Sequence, residues 1–408
     1  MVAPTIPKPA VISTARTSPI TIATVTWTPT RLGLEIVKGA SEYAKDRGWK
    51  VMRVDNRSPL PVSVFLKRGV RGLIVQAFED APVDRLLTLG VPIINVSNSR
   101  AGNTLPRVVS DDLLVGRMAA DYFIGKGFRR FAVCSDEKSG TAKLRERGYV
   151  ERLREAGHQV SIVRGPYELS AAYLSLRTVN TLSRWLAKLE KPCGLFGWTD
   201  GVCDTVINLS REAGWKIPEE LSILGVNNDF GRLVDDPEDA ISSIQLDGHS
   251  VGYHAAQLIA DMLAGGEAPK EPIVIPPMRI VERRSTDFYA VMDPAVLAAL
   301  KYIKQNCQRP TSVEGIARAA MLSRRILEKR FHQYLHSSPY EEVMRCRLDR
   351  AKELLLGTNL KLEEIAHLCG YDDGSNFSIF FHERAGCSPS AFRSRGFLSR
   401  KAARAAVA

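Results

Sequence analysis

The sequence predicts two units in one chain. The first is an α/β region of two lobes built on doubly wound parallel sheets. The second is an all-α region with two helix-turn-helix motifs. Two observations carry this. From Thr21 to about Ile275, short β-branched runs alternate with helix-length segments of 3.6-type apolar spacing. From Thr311 to Arg393, the pattern of short helix, turn and second helix occurs twice. The expected boundaries are a disordered tail over 1–19, the α/β region over 20–285, a linker over 286–294, the helical region over 295–396 and a basic tail over 397–408.

The strand-like runs are TIATVTW, KVMRVD, GLIVQA, PIINVS, RFAVCS, QVSIVR, GLFGWT and LSILGVN. The segment over 33–48 shows the intervening helices, with Leu34, Ile36, Val37, Ala40, Tyr43 and Ala44 on one stripe. Strand–helix–strand alternation implies parallel sheets covered on both faces. About eight such strands suit two lobes better than one sheet.

Ligands in such folds bind beyond the C-terminal ends of strands. GLFGWT is followed by Asp200, LSILGV by Asn227, Asn228 and Asp229, and RFAVCS by Asp136, Glu137 and then Arg145. Carboxylates, amides and a guanidinium there can hydrogen-bond vicinal hydroxyls, as a sugar requires. Plain structural roles stay open: Asp200 as a helix cap, and Asn227–Asn228 as a turn. No glycine pattern suits a nucleotide, no nucleophilic triad is present, and no His or Cys has metal spacing. The reading is therefore of no catalytic centre, no metal and no cofactor. Of the rival classes, a transport-type sugar-binding protein predicts a signal peptide and no basic C-terminal module, and a sugar-modifying enzyme has one nameable acid/base pair, Asp200 with Asp229.

In the helical region, Val313, Ile316, Ala317 and Ala320 form the stripe of a short helix. Ser323 can cap the next helix, in which Ile326, Leu327 and Phe331 face inward and Arg324, Arg325, Glu328 and Lys329 outward. Outward N-terminal residues of a second helix meet base edges in the major groove, where Arg pairs with guanine. In the second copy, Gly370 ends the first helix and Asp372 can cap the next. Phe377, Phe380 and Phe381 then face inward, while Gly374, Ser375, Ser378 and Ile379 face DNA. The intervening PYEEVMRCRLDRAKELLLGT reads as one stiff helix that spaces the readers about one DNA turn apart, roughly 34 Å.

Charge agrees with a phosphate-rich partner. The chain has 408 residues and net charge +11, of which +7 lies from Ala290 onward, with 19 Lys and Arg against 12 Asp and Glu. No apolar run is long enough to span a membrane, and the first residues do not read as a secretory signal. A cytoplasmic protein with seven scattered, reduced thiols is expected.

Two resemblances add to this reading. The segments PCGLFGWTDGVCDTVINLSREAGWKIPEELSILG and LGVNNDFGRLVDDPEDAISSIQLDGHSVGYHAAQLIADMLAGG resemble the sugar-binding domains of LacI-type repressors and periplasmic binding proteins. That resemblance implies three crossings between lobes, near Ser110–Asp112, Ser242–Asp247 and Ile273–Ile280. It also implies sugar contacts at Arg145, Thr199, Asp200 and Asn227. Thr199 stands where that family commonly has Asn, and Asn227 where it has Asp. The C-terminal region resembles the AraC/XylS-family DNA-binding domain through Ala317, Ser323, Leu327, Phe331, Pro339, Tyr340, Arg347, Ala351, Leu354, Ile365, Ala366, Gly370, Tyr371, Phe377, Phe381, Gly386, Ser388, Pro389 and Arg393. Met321 departs from it, standing where Gly is usual.

A sensor of the first kind followed by a reader of the second, joined by IPPMRIVERRSTDFYAVMDPAVLAALKYI, resembles the xylose operon regulators. This implies a gene regulator with D-xylose as effector and activation of pentose catabolism. Its partners would be operator DNA, a second copy in a homodimer, and RNA polymerase for an activator. A repressor of the same build, or a different sugar, stays open.

Replacing Arg325 by Ala should cost about 1–3 kcal/mol of discrimination at one base pair. Binding measured on a library of DNA sites tests this; equal weakening on every sequence would mean a phosphate contact instead.

Overall fold

The computed structural model describes residues 19–56, 60–77, 85–99, 105–166, 175–229 and 240–394. The two expected tails lie outside the described residues, apart from Pro19.

The first lobe carries strands β1 (Thr21–Thr26), β2 (Lys50–Asp55), β3 (Val70–Val75) and β4 (Ile93–Asn95), parallel in the order β2-β1-β3-β4. A bridge from Asn95 to Arg107 extends this sheet to β5 (Val108–Ser110), which pairs in parallel with β11 (Ile273–Ile275). The second lobe carries β6 (Phe131–Ser135), β7 (Ser161–Arg164), β8 (Cys193–Gly197), β9 (Leu221–Val226), β10 (Ser242–Gln245) and β12 (Arg279–Val281). Its order is β12-β10-β9-β8-β6-β7, with only β12 antiparallel. Both lobes thus repeat one doubly wound order, and the chain reverses direction beside β1 in one and β6 in the other. Four strands, β5, β10, β11 and β12, were not among the eight runs read from sequence. They are only three or four residues long and sit at the crossings, too short to show a period.

The crossings follow from the pairing. The chain leaves the first lobe after β5 and enters helix α3 (Asp112–Gly125) of the second. It returns after β10 into α7 (Gly248–Leu263), which packs on α1 (Arg31–Asp46) of the first lobe, and it crosses a third time between β11 and β12. Each lobe has one helix pair in backbone contact. Gly39 of α1 and Gly252 of α7 each leave no room for a Cβ against the facing backbone. Gly116 of α3 and Gly148 of α4 (Gly140–Glu155) do the same in the second lobe. Apolar clusters cover both faces of each sheet.

The helical region begins with α8 (Pro294–Asn306), capped by Asp293. The first reader is α9 (Val313–Ala319) and α10 (Arg324–Leu335), and the second is α12 (Leu362–Leu368) and α13 (Gly374–Ala385). Between them α11 (Pro339–Gly357) runs 19 residues, roughly 28 Å at 1.5 Å per residue. Its start is fixed by a capping box between Ser338 and Glu341, with Pro339 in the first turn. Leu327, Phe331 and Leu335 bury the inner face of α10; Phe377 and Phe381 bury that of α13. Ile326 does not join them. It is 45% exposed, because it lies on the solvent stripe one step from Leu327. The cap of α13 is Asp373, not Asp372: its carboxylate accepts the Asn376 N–H at 2.8 Å. Met321 occupies the first turn at φ +52°, where Gly370 stands at +78° in the second. A side chain at such φ costs roughly 1–2 kcal/mol.

Two cysteines depart from the all-thiol expectation. Cys307 at the end of α8 and Cys346 in α11 form a disulfide, with Cα atoms 6.2 Å apart. They lie 39 residues apart in sequence, so only helix packing brings them together.

Phe331→Ala empties a site with no solvent exposure at the centre of the helical core. It should lower the stability of the helical region by about 3–5 kcal/mol, read as a shift in its urea midpoint. An unchanged midpoint would mean that Phe331 anchors nothing.

Candidate ligand cleft and nucleic-acid interface

The C-terminal ends of β6, β8 and β9 form one wall of the space between the lobes. At the end of β8, Thr199 caps α6 (Asp200–Glu212), its hydroxyl accepting the Val202 N–H at 3.4 Å. Thr199, not Asp200, is therefore the helix cap, and its oxygen is engaged locally. Asp200 is almost fully buried, and one carboxylate oxygen accepts the Asp229 N–H at 2.8 Å. The other oxygen has no hydrogen-bond partner and lies over Gly225, where a Cβ would strike it. Burial raises the Asp200 carboxyl from the ordinary 3.8 to about 7, against opposing hydrogen bonds from Ser243 and the Asp229 backbone.

Asn227 sits at φ +99° and Asn228 at +56°, so β9 ends in a tight left-handed turn. The Asn227 side-chain oxygen is buried without a partner, and so is the Trp198 indole nitrogen. Asn228 donates its N–H to Ser243 Oγ at 2.9 Å. Arg145 is buried in α4, donating through Nε to Asp112 at 2.8 Å and through Nη1 to the Trp198 carbonyl at 2.6 Å. Asp112 opens α3 at the first crossing, and its other oxygen takes the Asn98 amide of the first lobe at 2.9 Å. The structure thus brings together Arg145, Trp198, Asp200 and Asn227, while Thr199 turns to its helix. The acid/base alternative finds no support, because Asp200 holds the backbone of Asp229 and Asp229 holds the Arg31 N–H of the other lobe at 2.5 Å.

The readers present their expected faces unequally. Ser323 caps α10 by accepting the Ile326 N–H. Arg324 is clamped by Glu314 at 2.7 Å and Glu328 at 2.8 Å, whereas Arg325 and Lys329 are exposed. On α13, Gly374 begins the helix, Ser375 is exposed, and Ile379 is 59% exposed. The Ser378 hydroxyl donates back to the Gly374 carbonyl at 2.7 Å, so it is turned along its own helix.

Comparison with known proteins decides what this pairing is. Residues 33–176 match the family described as periplasmic binding proteins and sugar binding domain of the LacI family. Residues 120–286 match the periplasmic binding protein-like domain, and 316–395 a helix-turn-helix domain. The chain is 28% identical to the xylose operon regulatory protein of Escherichia coli K12 over 382 residues, covering 88% of this chain and 93% of that one. The Haemophilus influenzae protein of the same name is 24% identical over 374 residues, covering 88% of this chain and 94% of that one. A solved xylose-binding transcription activator superposes with TM-score 0.57 at 25% identity, covering 93% of this chain and 98% of that one.

This chain is a DNA-binding transcription regulator. Its sensor is of the sugar-binding type, and the regulator is similar to those relatives along nearly its whole length rather than in one domain.

The regulator also holds candidate residues that reading the sequence missed. The first lobe contributes Thr26 at the end of β1, Asn56 beyond β2 and Gln76 beyond β3. The oxygens Thr26 Oγ1 and Asn56 Oδ1 are buried without partners, while Gln76 Oε1 accepts the Trp27 N–H at 3.0 Å. The rule applied to the second lobe, polar residues just beyond strand ends, finds these as well. On the readers, His332 and His382 are each the ninth residue of their helix. Both are exposed, one stripe along from Arg325 and Lys329 and from Ser375 and Ile379. Comparing the two copies position by position is the signal that finds them.

The raised Asp200 carboxyl has a consequence for stability. Below the unfolded value near 3.8 its contribution is fully present; as pH rises to about 7 it is lost, because the folded site resists ionisation. Asp200→Asn should remove that slope, worth on the order of a few kcal/mol. Urea unfolding of both proteins at pH 5 and pH 8 reads it, and parallel losses in the two would show that Asp200 ionises normally.

Proposed function

We propose that the regulator senses an aldopentose, with D-xylose as the first choice, bound between the lobes, and that it activates xylose catabolism genes in the cytoplasm as a homodimer. The observation that carries this reading is the set of buried polar atoms without partners at facing strand ends: Asn227 Oδ1 and Trp198 Nε1 from one lobe, Thr26 Oγ1 and Asn56 Oδ1 from the other. Buried polar groups are rarely left unpaired unless a ligand or water completes them. A small polyhydroxylated molecule supplies both the donors and the acceptors they need.

Similarity over 88% of the chain to proteins named as xylose operon regulators supports a pentose over other sugars. Similarity to the solved xylose-binding transcription activator supports activation, and hence RNA polymerase as a further partner. No described helix is long and apolar enough to cross a membrane, which agrees with a cytoplasmic place.

In this reading Arg145, Asp200 and Asn227 shape the sugar site. Arg145 does so from its pairing with Asp112, and Asp200 by holding the turn over residues 227–229. Thr199 contributes through its helix cap. DNA is read by Arg325, Lys329 and the clamped pair Arg324 and Glu328 on one side, and by Ser375, Ser378 and Ile379 around Gly374 on the other. The first reader carries most base discrimination, and the second mainly positions the protein on its site. Sugar shifts the equilibrium toward the lobe arrangement it binds more tightly. Four readers of a dimer then engage one operator at high effective concentration.

Calorimetric titration of the full chain with D-xylose, L-arabinose, D-ribose, D-glucose and D-galactose tests the sensor. D-xylose should bind tightest, and Asn227→Ala should weaken it by about tenfold or more. If no sugar binds tighter than millimolar, the sensor reading fails.

A further inference from the structure

Two neighbouring residues on one short segment hold the turn at the end of β9 and the first helix of the helical region. Arg283 follows β12, the edge strand that begins just after the third crossing. Its guanidinium donates to Asn228 Oδ1 at 2.5 Å and to the Ile241 carbonyl at 2.6 Å. Its own N–H donates to Ser242 Oγ at 2.7 Å. Asn228 is the middle residue of the 227–229 turn. On one side of it lies the unpartnered Asn227 amide oxygen. On the other, Asp229 accepts the Arg31 N–H from the opposite lobe. Any change in lobe closure therefore pulls on this turn, and Arg283 is fastened to it.

One residue earlier, Glu282 faces the other way. One of its oxygens takes Lys126 at 3.2 Å and the Tyr122 hydroxyl at 3.0 Å. The other takes Lys304 of α8 at 3.2 Å. Lys304 also pairs with Asp287 at 2.9 Å, just beyond this segment, so the first helix of the DNA-reading region is held at two neighbouring points. Lys126 is buried and donates in addition to the Thr286 carbonyl at 2.7 Å.

Arg279, at the start of the same segment, has a long hydrogen bond to Gln245 at 3.4 Å; burial disfavours its charge, and the carboxylates of Glu353 and Asp349 on α11 favour it. Gln245 ends β10 at the second crossing, so Arg279 stands between a crossing and the helix that separates the two readers. Beyond the segment, Arg129 of the sensor caps the end of α10 through the Gln333 and Tyr334 carbonyls at 3.1 and 3.2 Å and through the His336 ring at 2.7 Å.

We propose that the segment Arg279–Arg283 is the coupling element of the regulator, with Arg283 reading the cleft turn and Glu282 passing its displacement to α8. This rests on the sugar-responsive reading above. The physical requirement is a stiff connection with charge-assisted contacts at both ends. Adjacent residues on a paired strand end meet it, because a shift of one moves the other by the same amount.

The test is amide hydrogen exchange on the full chain with and without saturating D-xylose, or the panel sugar that binds most tightly if that is another. In the unaltered chain, sugar should change exchange in α8, α10 and α11 by about fivefold or more. Glu282→Gln keeps the shape but removes the charge, and Lys304→Gln cuts the same contact from its exposed end. Both should bind sugar with near-unaltered affinity yet lose the change in the helical region. Arg283→Gln should lose it as well while sugar binding stays measurable. If all three variants keep the full sugar-dependent change, the coupling assignment is wrong and the sensor reading stands. If the unaltered chain binds sugar without any change in the helices, the coupling assignment also falls. If no sugar binds, both fall together.

Discussion

The buried pair between Asp112 and Arg145 is the constraint on which the cleft depends. Both side chains are almost completely withdrawn from water, and two such charges are tolerable only when each is fully engaged. Asp112 therefore also holds Asn98, whose amide reaches the Ser110 carbonyl at 3.2 Å, and Arg145 also holds the Trp198 carbonyl. One ion pair thereby ties the end of β5 in the first lobe, the start of α3 at the crossing and the end of β8 in the second lobe. Moving any of the three would leave a buried charge short of a partner. The orientation of Trp198 and the direction from which Asp200 enters α6 follow from that fixed point.

Around it the molecule is built twice over. Both lobes use the same strand order, and each packs one helix pair through glycines that allow backbone contact. Both readers use a short helix, a left-handed turn and a second helix with two aromatic or aliphatic anchors a turn apart. The copies differ at their strand ends and on their outward helix faces. The first lobe offers hydroxyls and amides, and the second adds a guanidinium and a carboxylate. The first reader presents Arg and Lys, and the second Ser and Ile. Repetition gives the frame, and the differences between copies give each its separate task.

The segment over 286–294, expected as a linker, is packed at both ends. Phe288 and Ala290 lie against the core of the second lobe, and Val291 is buried in the helical core. The Ala290 N–H donates to the Lys126 carbonyl at 2.8 Å. The sensor and the readers are therefore joined by contacts as well as by sequence. A chain that must transmit a change in its cleft needs such a joint, since a solvated tether would absorb the displacement.

By itself the sequence determined the two-part order, the doubly wound class and the doubled helix-turn-helix. These rest on local periodicity, caps and turn residues such as Ser323, Ser338 and Gly370, each of which acts within a few positions of itself. It also marked Asp200 and Asn227, because polar residues stand out just beyond apolar strands, while Arg145, inside the helix after β6, was implied by the resemblance. Only the tertiary structure decided what those residues do. It turned Thr199 to its own helix and placed Asp200 behind the Asp229 backbone. It buried Arg145 against Asp112, 33 positions away, and clamped Arg324 between two glutamates. The short strands at the crossings and the Cys307–Cys346 bond were equally hidden. The physical reason is the same in each case: a partner distant in the chain leaves no periodic or local mark, and a buried charge goes to whichever partner the packed fold places beside it.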